Sequence, residues 1–294
     1  MSTNASRSLP RLLRCGWWTL AAATPLLTGC FTLTELPRAL VIQADGAITL
    51  SPTTCRQAMA QAKQSVPAPR APTRMRIMSW NIHKESDDGW KNELARLGRD
   101  SDILALQEVT LVLPVLDVLQ RSDFRWVMAS SFAYDDYDVG VLTATHIAPI
   151  ASCTQRAVEP LLRLPKSALI SWFATRGKPT LAVANVHAIN FTLSTDEFQA
   201  QLSAVADILG AHDGPIVLAG DFNTWSLARK RTLDQIARRL GLEEVAFADD
   251  ERTRFFGKPL DHILTRGLRV IASEVITVTS SDHNPLFATL EIVE

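Results

Sequence analysis

The sequence has no run of apolar residues long enough to cross a bilayer, no internal repeat and no long low-complexity tract. The longest apolar core, near the N-terminus, is about a dozen residues, too short to span a bilayer comfortably, where roughly 20 are needed. The other two absences exclude a solenoid and a largely disordered chain. A surplus of basic charge is also missing: 30 Lys and Arg stand against 31 Asp and Glu among 294 residues. A nucleic-acid binder that works by a broad positive field would show the opposite balance. Acidic residues are absent from the first thirty positions, and cysteine is scarce, at four residues in all. What remains is an ordinary globular composition, 47% hydrophobic and 21% charged. That suits one large α/β domain with extra segments, or two small domains.

The acid-free N-terminus reads as an export signal. Arg7, Arg11 and Arg14 precede an uncharged stretch from Cys15 to Cys30. A basic region followed by a short apolar one is a secretory signal. It ends in Leu27-Thr28-Gly29-Cys30, which resembles the lipobox of bacterial lipoproteins, where the chain is cut before the Cys and that sulfur is acylated. An ordinary signal peptide or an uncleaved anchor is the alternative to such a lipoprotein signal. The expectation is removal of residues 1–29, lipidation at Cys30 and, since Phe31 rather than Asp follows, the periplasmic face of the outer membrane. Losing three Arg leaves 27 basic against 31 acidic residues, a net of −4. Local basic runs at Arg229-Lys230-Arg231 and at Arg252 with Arg254 read as solvated surface. Cys55 and Cys153 would be left over, and in an oxidising compartment they either pair or stay buried as free thiols.

Residues 30–73 read as an N-terminal extension. Within it Cys55–Lys63 is a short helix candidate and Pro67-Ala68-Pro69-Arg70-Ala71-Pro72 an extended linker. The main domain, 74–294, begins near Arg74. Strands are expected at Arg76–Ile82, Asp102–Gln107, Phe124–Ala129, Val139–Thr143, Ala168–Ala174, Leu181–Val186 and Ile216–Ala219. Further strands are expected at Leu260–Leu264, Glu274–Thr277 and Leu286–Ile292. Trp90, Leu94 and Leu97 recur with helical spacing. A second helix carries Phe198, Leu202, Val205 and Leu209 behind a capping box of Ser194 and Glu197. A third carries Leu233, Ile236, Ala237 and Leu240 and stops at Gly241. Many strands with few helices imply an α/β fold of two packed sheets with helices outside.

Polar residues able to ligate a metal stand where these strands end: Asn81, Glu108, His187, Asp221 with Asn223, Asp261, and Asp282 with His283. Any one of them has an ordinary explanation as a turn cap or a solvated side chain. Together they form the usual arrangement of an active site, in which rigid strands present residues at one edge.

In order, these motifs resemble the endonuclease/exonuclease/phosphatase superfamily, which includes nuclease-I-type DNases, abasic-site endonucleases, neutral sphingomyelinases and inositol-phosphate 5-phosphatases. The resemblance spans roughly Arg74 to Ile292. It rests on Gly220-Asp221-Phe222-Asn223 followed much later by Ser281-Asp282-His283-Asn284-Pro285, with Trp80-Asn81 near the domain start and Gln107-Glu108 after it. Lys166-Ser167-Ala168-Leu169 and His187-Ala188-Ile189-Asn190-Phe191 are similar to a bacterial branch without a known substrate.

The resemblance implies a four-layer α/β/β/α sandwich of mainly antiparallel sheets and a phosphodiesterase using Mg²⁺, with Mn²⁺ as the substitute. It makes Glu108 the principal metal ligand, with Asn81 and Asp282 beside it; a hard cation that keeps its waters needs no more than one or two carboxylates. Asp221 would activate water. Asn223, His187 and Asn190 would hold phosphate. His283 would bind the scissile phosphate or move a proton, with Asp261 fixing its tautomer. His262, one residue on in the strand, faces away and packs. Two departures set the chain closer to nuclease-I and sphingomyelinase types than to abasic-site enzymes: His187 stands where those carry Tyr, and His83 where they carry an acid. His83 is then either a residue near the substrate or a surface histidine.

The partner is a phosphodiester, either nucleic acid or a phospholipid headgroup, with the membrane reached through the lipid anchor and no protein partner implied. Nuclease is the first reading because many relatives are nucleases. A phospholipid or small-molecule esterase at the cell envelope is the second. A binding module that has lost catalysis is the third.

Overall fold

The computed structural model describes residues 31–32, 39–42, 48–51, 54–64, 70–134, 137–176, 179–192 and 194–293. The expected signal segment, Cys30 included, and the Pro67–Pro69 part of the linker lie outside them. Strands β1 (Phe31–Thr32), β2 (Ala39–Ile42) and β3 (Ile48–Ser51) precede helix α1 (Cys55–Lys63) and β4 (Arg74–Asn81). Then come α2 (Trp90–Gly98), β5 (Ile103–Thr110), α3 (Leu113–Arg121), β6 (Arg125–Tyr134) and β7 (Tyr137–Thr145). Next are β8 (Ala151–Val158), β9 (Pro165–Phe173), β10 (Leu181–His187), α4 (Asp196–Gly210) and β11 (Ile216–Asp221). The chain closes with α5 (Leu227–Leu240), β12 (Glu243–Glu244), β13 (Arg254–Phe255), β14 (Lys258–Pro259), β15 (Asp261–Arg266), β16 (Leu268–Val275) and β17 (Leu286–Ile292).

Two large sheets pack face to face. One runs β16-β17-β4-β5-β7-β6-β2-β3 with β1 added on β6; the other runs β12-β15-β11-β10-β9-β8. Between them lie Met75, Ile77, Ala105, Val183, Val217 and Ile263. Leu94, Leu97, Val115, Val118 and Leu119 of α2 and α3 cover the outer face of the first sheet. Phe198, Leu202, Leu209, Leu233 and Ile236 of α4 and α5 cover the second, joined by Ala58 and Ala62 of α1. The four-layer α/β/β/α sandwich is therefore the observed fold. Most strand pairs are antiparallel, but β4–β5 and β10–β11 are parallel. These parallel pairs matter for function, because each brings two carboxyl-terminal strand ends to the same edge.

Helix α1 begins with a reciprocal capping box, Thr54 with Gln57. A disulfide joins Cys55 to Cys153 of β8, with Cα atoms 5.0 Å apart. Of the two fates open to these thiols, pairing is the one realised.

Three local expectations need correction. The Ser194–Glu197 capping box does not form: helix α4 starts one residue later, with Thr195 as its cap, and the Ser194 hydroxyl accepts from the Asp196 N–H instead. The strand expected at Glu274–Thr277 starts earlier, at Leu268, and stops at Val275. As an edge strand with exposed side chains it lacks the apolar run that marks buried strands. Arg229, expected on a solvated helix face, is buried at 1% exposure. Its guanidinium is sandwiched between the rings of Phe198 and Trp225, 4.6 and 4.8 Å from their centroids.

Candidate active site

The strand ends converge as their order predicts. Asn81 closes β4, Glu108 lies in the last turn of β5, His187 closes β10, Asp221 closes β11 and Asp261 opens β15. In register, Asn81 faces Gln107, His187 faces Asp221, and Asp221 faces Asp261. One backbone feature makes the β10–β11 approach feasible. Gly220 has φ +142°, and a Cβ there would lie 1.9 Å from the Val186 carbonyl oxygen. Only glycine lets β11 run this close while delivering Asp221 to the edge. The result is a cleft of about 600 Å³ lined by Asn81, Glu108, His187, Asp221, Asn223 and His283, among others.

One side of the cleft is a hydrogen-bonded cluster. His283 Nδ1 lies 2.7 Å from Asp261 Oδ2, with both side chains buried. The ring's other nitrogen is 4.0 Å from Asp221 Oδ2. Trp80 fixes the loop by donating its indole N–H to the His283 carbonyl at 2.9 Å, and Ser281 donates to the Asn81 carbonyl. Asp221 accepts from the Asn223 backbone N–H at 2.9 Å and from the Asn81 amide at 3.1 Å. Burial disfavours the imidazolium of His283, yet Asp261 and Asp221 outweigh it and push its pKa up to about 10. Burial, and then the nearby Asp261 charge, raise Asp221 to about 6 despite the lowering effect of His283. The Asn223 amide donates to the Ala188 carbonyl at 3.0 Å, so this side chain braces the turn as well as lining the cleft.

The other side is held by ion pairs. Glu108 sits at a β-bulge between β5 and β7 and adopts φ +54°. Such a bulge re-aims a side chain that regular pleating would send elsewhere. Burial works against its charge, but the ammonium groups of Lys166 and Lys84 outweigh that and hold its carboxyl below the usual carboxylate range. Lys166 Nζ is 3.3 Å from Glu108 and donates to His187 Nε2 at 2.9 Å, while Lys84 contacts the other carboxylate oxygen. Burial and then Lys166 push the His187 pKa well below its ordinary value, so the ring is neutral and its Nε2 is spent on Lys166. Lys84 rides on three consecutive residues with positive φ, His83, Lys84 and Glu85, directly after Asn81 and Ile82. That conformation is costly for residues with a Cβ and is usually stored where function needs it. Glu85 secures it: its carboxylate accepts the Thr110 N–H at 2.9 Å, and burial raises its pKa to about 7.

A divalent cation fits the second side better than the first. Asp221, Asp261 and His283 bring one ligand atom each within 4.8 Å of one another. But His283 Nδ1 is already held by Asp261, and the imidazolium offsets one of the two carboxylate charges there without a metal. Glu108, the Asn81 carbonyl oxygen and the half-exposed Asp282 offer hard oxygen donors of the type Mg²⁺ or Mn²⁺ accepts. There Lys84 occupies a carboxylate oxygen that a metal would claim, and its side chain is 44% exposed and able to leave.

The remaining residues form the wall. The Asn190 backbone N–H donates to buried Glu159 at 2.7 Å, and Arg229 donates to the carbonyls of Ile189 and Asn190. These two buried charges clamp the loop from both sides; burial holds the Arg229 pKa down to about 10, which leaves it charged. Asn190 Oδ1 accepts the Trp225 indole N–H at 2.9 Å. His262 points away from the cleft, as expected, but it is no bland packing residue. It bonds Thr224 and Glu244 and lies 3.2 Å from Arg252. His83 bonds Asp87 and lies 3.8 Å from Asp282, so it is on the cleft side. Sequence reasoning missed Lys84, Lys166, Glu85, Glu159 and Arg229 as builders of this site. Lys166 carried a signal as the start of the Lys166-Ser167-Ala168-Leu169 motif, and Lys84 and Glu85 did because they follow Asn81 closely.

The model of the Endonuclease/Exonuclease/phosphatase family matches residues 78–283. A UPF0294 protein of Yersinia pseudotuberculosis is 40% identical over 212 residues, which cover 72% of this chain and 82% of that one. A UPF0294 protein of Yersinia enterocolitica is 41% identical over 213 residues, with the same coverage. Among solved structures, an endonuclease/exonuclease/phosphatase from Bacteroides vulgatus superposes with TM-score 0.60 at 18% identity, covering 75% of this chain and all of that one. A Bacteroides thetaiotaomicron mannosyl-6-phosphatase gives 0.57 at 16%, covering 74% and 99%.

Proposed function

The chain belongs to the endonuclease/exonuclease/phosphatase family, a family of phosphoester hydrolases, and from that premise we propose that it is a divalent-metal-dependent phosphodiesterase. The observation that carries this is the Asp261–His283 pair at 2.7 Å, buried behind a cleft that also holds Asp221 and Glu108. Asp261 holds the proton on His283 Nδ1, so that the ring presents Nε2–H to a phosphoryl or leaving oxygen. Asp221 stands 4.0 Å from that nitrogen and takes a proton from the attacking water. Lys166, between Glu108 and His187, turns positive charge to the phosphate. Asn190 and Asn223 bound the phosphate end of the cleft. Glu108, Asn81 and Asp282 would hold the metal, Mg²⁺ by preference, and the bound ion supplies charge stabilisation at the phosphoryl and leaving oxygens.

Nucleic-acid and phospholipid diesters both suit this chemistry. The proposal extends to export: residues 1–29 are removed and Cys30 carries lipid, which tethers the enzyme to the periplasmic face of the outer membrane. The Cys55–Cys153 disulfide favours an oxidising compartment of that kind. Mass spectrometry of membrane-extracted protein tests this, and an intact Met1 refutes it.

Hydrolysis of bis(p-nitrophenyl) phosphate, with and without Mg²⁺ and after chelation, tests the activity. Metal-stimulated turnover lost in His283→Ala is the expected result. Absence of turnover under every condition would leave a binding module on the same fold.

A further inference from the structure

Five large apolar side chains stand exposed around the cleft mouth, beside the polar Lys84 and Asp282. Leu161 and Leu162 stand on the β8–β9 loop, Phe191 follows β10, and Phe255 and Phe256 form the tip of the β13–β14 hairpin. All five are at least half exposed, Phe256 at 78%. They are held out by buried polar braces: Glu159 begins the β8–β9 loop and accepts the N–H groups of Asn190 and Phe191. A rim of this kind at the entrance of a site marks an interaction surface.

A second observation concerns where the chain enters the fold. Strand β1 begins at Phe31, the residue after Cys30, and pairs Phe31 with Tyr134 and Thr32 with Ala133 of β6. Ser131 of β6 hydrogen-bonds Ser167, the neighbour of Lys166. Tyr134 lies three residues further out, about 10 Å at the rise of a strand. Leu162 and Phe132 of the same β6 end line one depression with Lys166. From Phe31 on, the chain thus enters the fold at the cleft end of the sandwich, the end that carries the apolar rim.

We infer that this rim docks on a phospholipid surface, and that the diester hydrolysed in the cleft is a phospholipid headgroup reached from that surface. The substrate part rests on the phosphodiesterase reading; the docking part does not. Charge separates this occupant from nucleic acid. The arginines near the hairpin are tied up in ion pairs, Arg252 with Asp250 and Glu244 and Arg254 with Asp250 at 2.6 Å, which leaves Lys258 as the hairpin's cation outside these pairs. Nucleic acid needs cations that stay available to its phosphates, whereas a lipid interface accepts aromatic and aliphatic side chains directly. In the reaction, water oxygen bonds to phosphorus, the bond from phosphorus to one ester oxygen breaks, and a proton passes to that oxygen. The diester and water give a phosphate monoester and an alcohol.

The test uses protein isolated from membranes with its N-terminus as the cell leaves it, in vesicles of phosphatidylcholine, phosphatidylethanolamine and phosphatidylglycerol. Phe256→Trp should be quenched by brominated acyl chains about twofold or more beyond Val293→Trp. Val293 is exposed at the opposite end, where its N–H meets the Gly267 carbonyl. Equal quenching of the two overturns the docking. Phe255→Ser with Phe256→Ser should cut the ratio of vesicle-lipid to bis(p-nitrophenyl) phosphate turnover about tenfold, as expected for two aromatic anchors. An unchanged ratio overturns the substrate class. A drop confined to single-stranded DNA, with Phe256→Trp unquenched, assigns the rings to base stacking and overturns the proposal. Quenching of Phe256→Trp, with no diester hydrolysed by either this variant or the wild type, refutes the hydrolase reading alone.

Discussion

The two sides of the cleft are built on different terms. Around His283 the partners are close, buried and mutually satisfied: Asp261 at 2.7 Å, Asp221 within 4.0 Å, and an indole and a serine tying down the loop. Around Glu108 the partners are long cationic side chains, one of them half exposed, on a backbone stretch with three positive φ angles. The first side is preorganised to hold and move a proton. The second keeps a carboxylate ionised with ammonium groups that an incoming cation can replace. A hydrolase that needs both a proton device and a metal gains from this division, with Asn81 as the link between the sides through its amide bond to Asp221.

The largest expected effect lies on the preorganised side. His283→Ala should reduce kcat at least about 10³-fold at any metal concentration, and Asp261→Asn about 10²-fold. The double substitution should be hardly worse than His283→Ala alone, since paired groups act as a unit. Independent losses, read by steady-state kinetics of all four proteins, would break the comparison by removing Asp261 from the pair.

Glu108→Ala should cost less at saturating metal. Its activity should recover in part as Mg²⁺ is raised, whereas that of His283→Ala should not. Metal titrations of the two variants show whether the sides are as separate as their contacts suggest; a Glu108→Ala enzyme indifferent to metal would dissolve the distinction.

The pH profile sharpens it further. Asp221 works as the carboxylate, so activity should rise through about pH 6; His283 works as the imidazolium, so activity should fall as pH approaches about 10. Asp261 is the largest influence raising the His283 pKa, so Asp261→Asn should move the alkaline limb to lower pH by a unit or more, in rate profiles at fixed metal.

The smallest effect concerns the strained turn. Glu85 has pKa about 7 in the folded chain against 4.5 ordinarily. Between those values the folded state keeps a proton that the unfolded state has released, so stability falls as pH rises through the window. Glu85→Gln should remove that slope and add about 1–2 kcal/mol at pH 8, after a discount for partial solvent contact. Urea midpoints at pH 5 and pH 8 in chelator test it; parallel curves for wild type and variant would leave the turn without this burden.

Much of the preorganised side was legible from residue order. Asp221, Asn223, Asp261 and His283 follow apolar runs whose ends must share an edge once the strands pair. Strand alternation also put Asp261 inward and His262 away from the cleft. The other side was legible only at Asn81 and Glu108. Lys166 stood in a recognised motif, but it reaches Glu108 across 58 residues of chain, so the motif alone did not give it a role. Lys84 depends on a left-handed turn that favours no particular residue type. Arg229 looked like surface because charged runs on helices usually are; two aromatic rings and three backbone carbonyls brought it inside. The Ser194–Glu197 box misled for the opposite reason: a correct local grammar yielded to a competing turn at Asp196. Helix α1 was legible at Cys55–Lys63, but β1 to β3 before it escaped because such short strands leave little periodic trace.

Gly220 has a consequence for descent as well as for geometry. The oxygen 1.9 Å from its missing Cβ forbids every other residue, whether or not the enzyme turns over. Asp221 beside it has no such shelter; burial makes it a strain on the fold, tolerable only while its chemistry is selected. The glycine therefore answers to the architecture alone, whereas its neighbour Asp221 answers to the chemistry proposed for the cleft.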